Sequence, residues 1–148
     1  MSDIIREMSD ISDKVGRAIV FDIFGVLISN GKNLELFESI REWRSEGWMI
    51  GVMSNTSRGV FERCFTEVER GLFDVVVLSG EVGISKPNVG IYEVTINKLR
   101  VEVEEIVFVD DVVWNVEAAE SLGMKGVVFR GNDDLVENIK RIALIKRS

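Results

Sequence analysis

A chain of 148 residues with 46% hydrophobic and 29% charged residues has the length and composition of one globular domain, not of two, and not of a disordered segment. It has no histidine and one cysteine, Cys64, which excludes His-dependent triads, imidazole acid–base catalysis, His-ligated zinc, cysteine metal clusters and an internal disulfide. A net charge of −7 argues against holding nucleic acid by bulk electrostatics. No apolar run approaches the ~20 residues of a membrane span, and Asp3, Arg6 and Glu7 interrupt any signal-peptide pattern, so a cytoplasmic protein without membrane or nucleic-acid partners is expected.

In chain order, residues 1–15 come first. Ile4, Ile5, Met8 and Ile11 fall at helical spacing among charges and predict an amphipathic helix. After Gly16 the pattern alternates. Short apolar runs at Ala18–Phe21, Met49–Met53, Val75–Leu78, Ile106–Val109 and Gly126–Phe129 are too brief for helices and rich in Val, Ile and Phe. Between and after them, Leu34–Trp43, Val60–Val68, Ile91–Leu99, Val116–Leu122 and Leu135–Ile145 carry a period near 3.6. In the first of these Leu34, Phe37 and Ile40 are expected inward. In the second the inward side is Phe61, Cys64, Phe65 and Val68. The last is expected to span residues 132–146. Gly47, Gly71 and Gly123 stand where left-handed residues would end three helices.

Strands alternating with helices predict an α/β fold. The sheet would be three-layer, doubly wound and Rossmann-like, of about five parallel strands with helices on both faces. The strands lack inside–outside alternation, as strands covered on both faces do. Residues 1–148 are then a single domain, with the chemistry in 17–130. Ligands of such sheets bind beyond the carboxyl ends of the strands. Asp22 ends the first strand, Ser54-Asn55 the second and Asp110-Asp111 the fourth, and Lys86 follows the third. Hard oxygens with one hydroxyl and one cation suit a divalent metal and a phosphoryl group, and a carboxylate nucleophile would pass through an aspartyl-phosphate.

Four stretches carry a resemblance. Ala18-Ile-Val-Phe-Asp22-Ile-Phe-Gly-Val-Leu27, Ile50-Gly-Val-Met-Ser54-Asn55-Thr56, Gly80-Glu-Val-Gly-Ile-Ser-Lys86-Pro87, and Ile106-Val-Phe-Val-Asp110-Asp111 with Asn115-Val-Glu-Ala-Ala-Glu-Ser-Leu-Gly-Met124 resemble, in order and spacing, the four motifs of the haloacid dehalogenase-like (HAD) hydrolase superfamily. The resemblance implies Asp22 as nucleophile, with Ser54 and Lys86 on the phosphoryl oxygens. Mg²⁺ would lie on Asp22, the Phe24 carbonyl and Asp111, with Asp110 as a further ligand either directly or through water. Asn115 would orient the metal's surroundings, and Asn55 and the Gly25 amide would meet substrate. Arg58 and Arg130 are additional candidates, each equally readable as a solvated surface charge.

One position departs from the family pattern. Where related phosphatases carry an acid–base Asp two residues after the nucleophile, this chain has Phe24, which cannot transfer a proton. The 31 residues between Asp22 and Ser54, and the 31 between Ser54 and Lys86, leave no room for a cap domain. The resemblance therefore implies a capless Mg²⁺-dependent phosphatase acting on a phosphate ester or anhydride, its partner a small phosphorylated substrate or a phosphorylated macromolecule. A weakly active or inactive binding protein is the alternative, and a 2-haloacid dehalogenase stands behind both. An open site invites cover from a second copy in a homo-oligomer, with Trp114 and the first helix as contact candidates; the plainer expectation is that both pack on their own domain.

Overall fold

The computed structural model describes residues 14–145. The expected helix at residues 1–15 therefore lies almost wholly outside the described residues, and Lys14 and Val15 are not helical. Five strands are present: β1 (Arg17–Phe21), β2 (Trp48–Ser54), β3 (Val75–Leu78), β4 (Ile106–Asp110) and β5 (Lys125–Val128). The helices are α1 (Leu34–Ser45), α2 (Arg58–Cys64), α3 (Glu67–Arg70), α4 (Ser79–Val82), α5 (Val89–Leu99), α6 (Val113–Ser121) and α7 (Asn132–Ala143), with a 3₁₀ turn at Val103–Glu105. All strand pairs are parallel, in the order β3-β2-β1-β4-β5. The chain moves outward from β1 through β2 to β3, then returns to β1's other side. The order thus reverses between β1 and β4, where a doubly wound sheet opens a crevice at its carboxyl edge.

Each strand feeds two cores. Ile19, Phe21, Ile50, Val52, Val107 and Val109 face α1 and α7, where Leu36, Phe37, Ile40, Leu135 and Ile139 meet them. Ala18, Val20, Met53, Phe108 and Ile106 face α5 and α6 through Ile91, Tyr92, Val116 and Ala119. Both sets are apolar because both sheet faces are covered, as the absence of alternation predicts. Phe37, Phe61, Phe65 and Phe73 form an aromatic cluster, with centroids 5.4–6.2 Å apart, that joins α1 to the β2–β3 connection. Contacts of this kind contribute about 0.5–1.5 kcal/mol each beyond their buried area.

Several local expectations are corrected. The helix expected over Val60–Val68 is two helices. Phe65 turns extended, at φ −129° and ψ 143°, so that its ring stays buried. Thr66 then starts α3 through a capping box with Glu69, which satisfies donors at the new helix start. Val68, expected inward, is 76% exposed as a result. Leu34 is likewise exposed, because Asn33 caps α1 one residue earlier and the buried stripe runs through Leu36, Phe37, Ile40 and Trp43. Gly47 and Gly123 adopt positive φ after their helices, whereas Gly71 stays right-handed at φ −66°. Gly83 and Arg100 supply left-handed ends that were not expected, at α4 and α5. The last helix ends at Ala143.

Candidate active site

The parallel register sets the site. Phe21 pairs with Val109, so the residues that follow them, Asp22 just past β1 and Asp110 at the end of β4, emerge side by side, and the Asp22 amide donates to the Val109 carbonyl at 3.0 Å. Lys86 reaches between them from the loop after α4. Its Nζ donates to Asp22 Oδ1 at 2.7 Å and to Asp110 Oδ2 at 2.8 Å, with the lysine side chain 2% exposed. A buried cation and two buried carboxylates repay their desolvation only through such close pairing. Asp111 completes the group. Oxygens of Asp22, Asp110 and Asp111 all lie within 4.8 Å of one another.

The excess of negative charge shows in the proton affinities. Burial pushes the Asp22 carboxyl up to about 6; Lys86 opposes this and Asp110 adds to it. Partial desolvation and the adjacent Asp110 carboxyl push Asp111 up as well. Three carboxylates against one lysine are under-neutralised, and a hard divalent cation is the group that oxygen donors at this spacing accommodate. Asn115 gives a second sign of fit. Its Nδ2 donates to Asp110 Oδ2 at 3.1 Å, while its buried Oδ1 has no hydrogen-bond partner among the described residues. No hydrogen bond reaches the Phe24 carbonyl among the described residues.

Asp110 is wholly buried and its oxygens are already engaged. Oδ2 accepts from Lys86 and Asn115, and Oδ1 accepts from the Val112 amide at 3.0 Å. Asp111 is exposed. Ser54 ends β2 on the same edge, 1% exposed, in register with Leu78 at the end of β3.

Two residues expected at substrate are spent otherwise. The Gly25 amide donates to the Ile28 carbonyl at 2.8 Å, inside the turn that follows β1. Gly25 itself, at φ 97°, passes so close to Asp111 that any β-carbon would collide with the carboxylate. The Asn55 amide bridges the backbone of Lys86: Oδ1 accepts from the Lys86 amide at 2.8 Å and Nδ2 donates to its carbonyl at 3.1 Å. Asn55 thus fixes where the lysine starts. Arg58 forms a two-pronged pair with Glu81 at 2.7 and 3.1 Å, which ties α2 to α4 on the surface, and Arg130 is exposed. Tyr92 was not singled out by sequence. Its buried hydroxyl donates to the Asn115 carbonyl at 2.7 Å, holding the start of α6 against α5. A tyrosine in an apolar helical stripe gives no signal of that.

A family model described as haloacid dehalogenase-like hydrolase matches residues 34–123, more than half of the chain. The chain belongs to the haloacid dehalogenase-like hydrolases. Among characterised relatives it is 36% identical over 91 residues to the drimenol cyclase drtB of Aspergillus calidoustus, covering 61% of this chain and 17% of that protein. It is 32% identical over 89 residues to the sesquiterpene phosphatase astK of Aspergillus oryzae, covering 60% of this chain and 45% of that one. The chain spans less than half the length of these relatives. A predicted HAD-like family hydrolase from Porphyromonas gingivalis has the same fold, with TM-score 0.75 at 20% identity over 88% of this chain and 99% of its own. Among the described residues no cap domain interrupts this HAD core, as the short spacings between its motifs predict.

Proposed function

We propose that this HAD-like chain is a metal-dependent phosphohydrolase whose nucleophile is Asp22. The observation that carries the reading is the bridge of Lys86 from Asp22 to Asp110, with Asp111 within sharing distance of both. Asp22 attacks phosphorus, forming an aspartyl-phosphate as the bond to the leaving oxygen breaks, and water then cleaves that intermediate. Lys86 holds the attacking carboxylate in one orientation and offers charge to the phosphoryl oxygens; Ser54 adds a hydroxyl donor at the end of β2. Asn55 acts through Lys86 by fixing its backbone.

Mg²⁺ would be held by Asp22, Asp111 and the Phe24 carbonyl, since Asp110 has its oxygens committed and reaches the ion best through water. When bound, the ion supplies Lewis-acid charge to the phosphoryl group. Asn115, through its unpartnered Oδ1, is suited to orienting that water. A phosphatase among the relatives supports the phosphate chemistry.

A second reading, a weakly active member serving as a binding protein, is favoured by one observation: the half-exposed Phe24 stands two residues after Asp22. One experiment separates them. A panel of phosphate esters and anhydrides is assayed with Mg²⁺ and with chelator, on wild type and Asp22→Asn. Release of phosphate that requires both the metal and Asp22 supports the hydrolase; phosphate binding without turnover on any member supports the binding protein.

A further inference from the structure

An in-line displacement at phosphorus places the leaving oxygen opposite the attacking carboxylate, here on the open side of the cluster, away from Asp22. Exposed apolar residues lie close in the chain to those carboxylates. Phe24 is 46% exposed, Val113 49% and Trp114 65%. Phe24 adjoins Gly25, whose backbone meets Asp111; Val113 and Trp114 begin α6 two and three residues after Asp111.

Several ionisable groups of this edge are already committed. Lys86 is sealed between two carboxylates, and Asp110 accepts from Lys86, Asn115 and Val112. Glu81 is held in two places by Arg58. Tyr92 is buried with its hydroxyl on the Asn115 carbonyl, and guanidinium groups such as Arg58 and Arg130 do not release protons. Asp111 is spent on the cation in the reading above. None of these groups is therefore free to protonate a departing oxygen.

We propose that the substrates are phosphate monoesters whose bridging oxygen leaves as a stabilised anion carrying a flat apolar group, with aryl phosphates as the matching class. This rests on the phosphohydrolase reading of the same site. In the first step an Asp22 oxygen bonds to phosphorus and the P–O(aryl) bond breaks, its electron pair leaving on the aryloxide, which takes its proton from solvent. In the second, water bonds to phosphorus, the Asp22–phosphorus bond breaks with its pair returning to the carboxylate, and water's proton passes to solvent. Atoms and charge balance without a protein acid. Phe24 and Trp114 supply the aromatic surface that receives the leaving group and set specificity by contact.

The test is kcat/KM with Mg²⁺ for 4-nitrophenyl phosphate, phenyl phosphate and decyl phosphate. Wild type is expected to fall along that series, by about 100-fold or more from first to last, because general-acid help typically supplies 10²–10⁴-fold. Phe24→Asp should raise decyl phosphate turnover at least about tenfold and narrow the spread. Phe24→Ala, which removes the ring without adding an acid, should keep the spread in kcat while raising KM for the aryl substrates. Wild type cleaving decyl phosphate within about threefold of 4-nitrophenyl phosphate would overturn the inference but leave the hydrolase reading standing. No turnover of any member, or turnover that survives in Asp22→Asn, overturns that reading and the inference with it.

Discussion

Gly25 and Asp111 are in contact across the β1–β4 crevice: the glycine backbone, at φ 97°, occupies the space a side chain would need beside the Asp111 carboxylate. The first and fourth sequence motifs are thereby locked together at one point. Gly25→Ala must push Asp111 away and also strain a left-handed residue. The expected result is at least about a tenfold loss in Mg²⁺ affinity, with a stability cost of about 1–2 kcal/mol. Isothermal titration with Mg²⁺ together with urea unfolding checks both.

Lys86 is the sole cation among the described residues that pairs with the buried carboxylates of Asp22 and Asp110. Lys86→Met leaves them facing each other uncompensated. Breaking a buried pair costs about 3–5 kcal/mol, and denaturant unfolding of the metal-free protein at neutral pH should show a loss of that size. The loss should shrink in acid, as Asp22 takes up a proton.

The raised carboxyl of Asp22 fixes the sign of a pH effect. Its folded value, about 6, lies above the ordinary 3.8, so between these pH values the folded protein holds more protons than the unfolded chain. The contribution of Asp22 to metal-free stability is therefore greatest in acid and declines as pH rises from about 4 through 6. Asp22→Asn should remove this dependence without destabilising the metal-free protein at pH 7.5. Mg²⁺ acts in the opposite sense: it requires the ionised carboxylate, so its stabilisation of wild type should weaken below about pH 6. Thermal melts across pH, with and without Mg²⁺, read both signs.

Asn55→Ala removes both hydrogen bonds to the Lys86 backbone. It should cost about 1–3 kcal/mol and lower kcat more than it raises KM, because the lysine it positions is displaced while the carboxylates remain. A pure substrate contact would show the reverse split, and steady-state kinetics distinguish the two.

What was legible in the sequence follows from what each residue answers to. The five strands were plain because they are buried on both faces, leaving runs such as Ile19, Val20 and Phe21 with no polar interruption. The ends of those strands, read against a parallel sheet, were enough to gather Asp22, Ser54, Lys86 and Asp110 at one edge, since register does the rest. The break at Phe65 was written in Thr66-Glu-Val-Glu69, a capping box concealed by an apolar period that ran through it. Asn55, Gly25 and Tyr92 were opaque for a different reason. Their roles depend on which atoms arrive beside them from 31, 86 and 23 residues away, and no local pattern encodes that.

The central claim is that Asp22 takes up a phosphoryl group. The most direct measurement is to mix the protein with 4-nitrophenyl phosphate and Mg²⁺, quench in acid within the first turnovers, and map the protein by mass spectrometry. A phosphoryl adduct on the peptide bearing Asp22, absent with chelator and absent in Asp22→Asn, is the expected result. Turnover with no adduct at Asp22 at any quench time, or an adduct on another residue that persists in Asp22→Asn, would contradict the account.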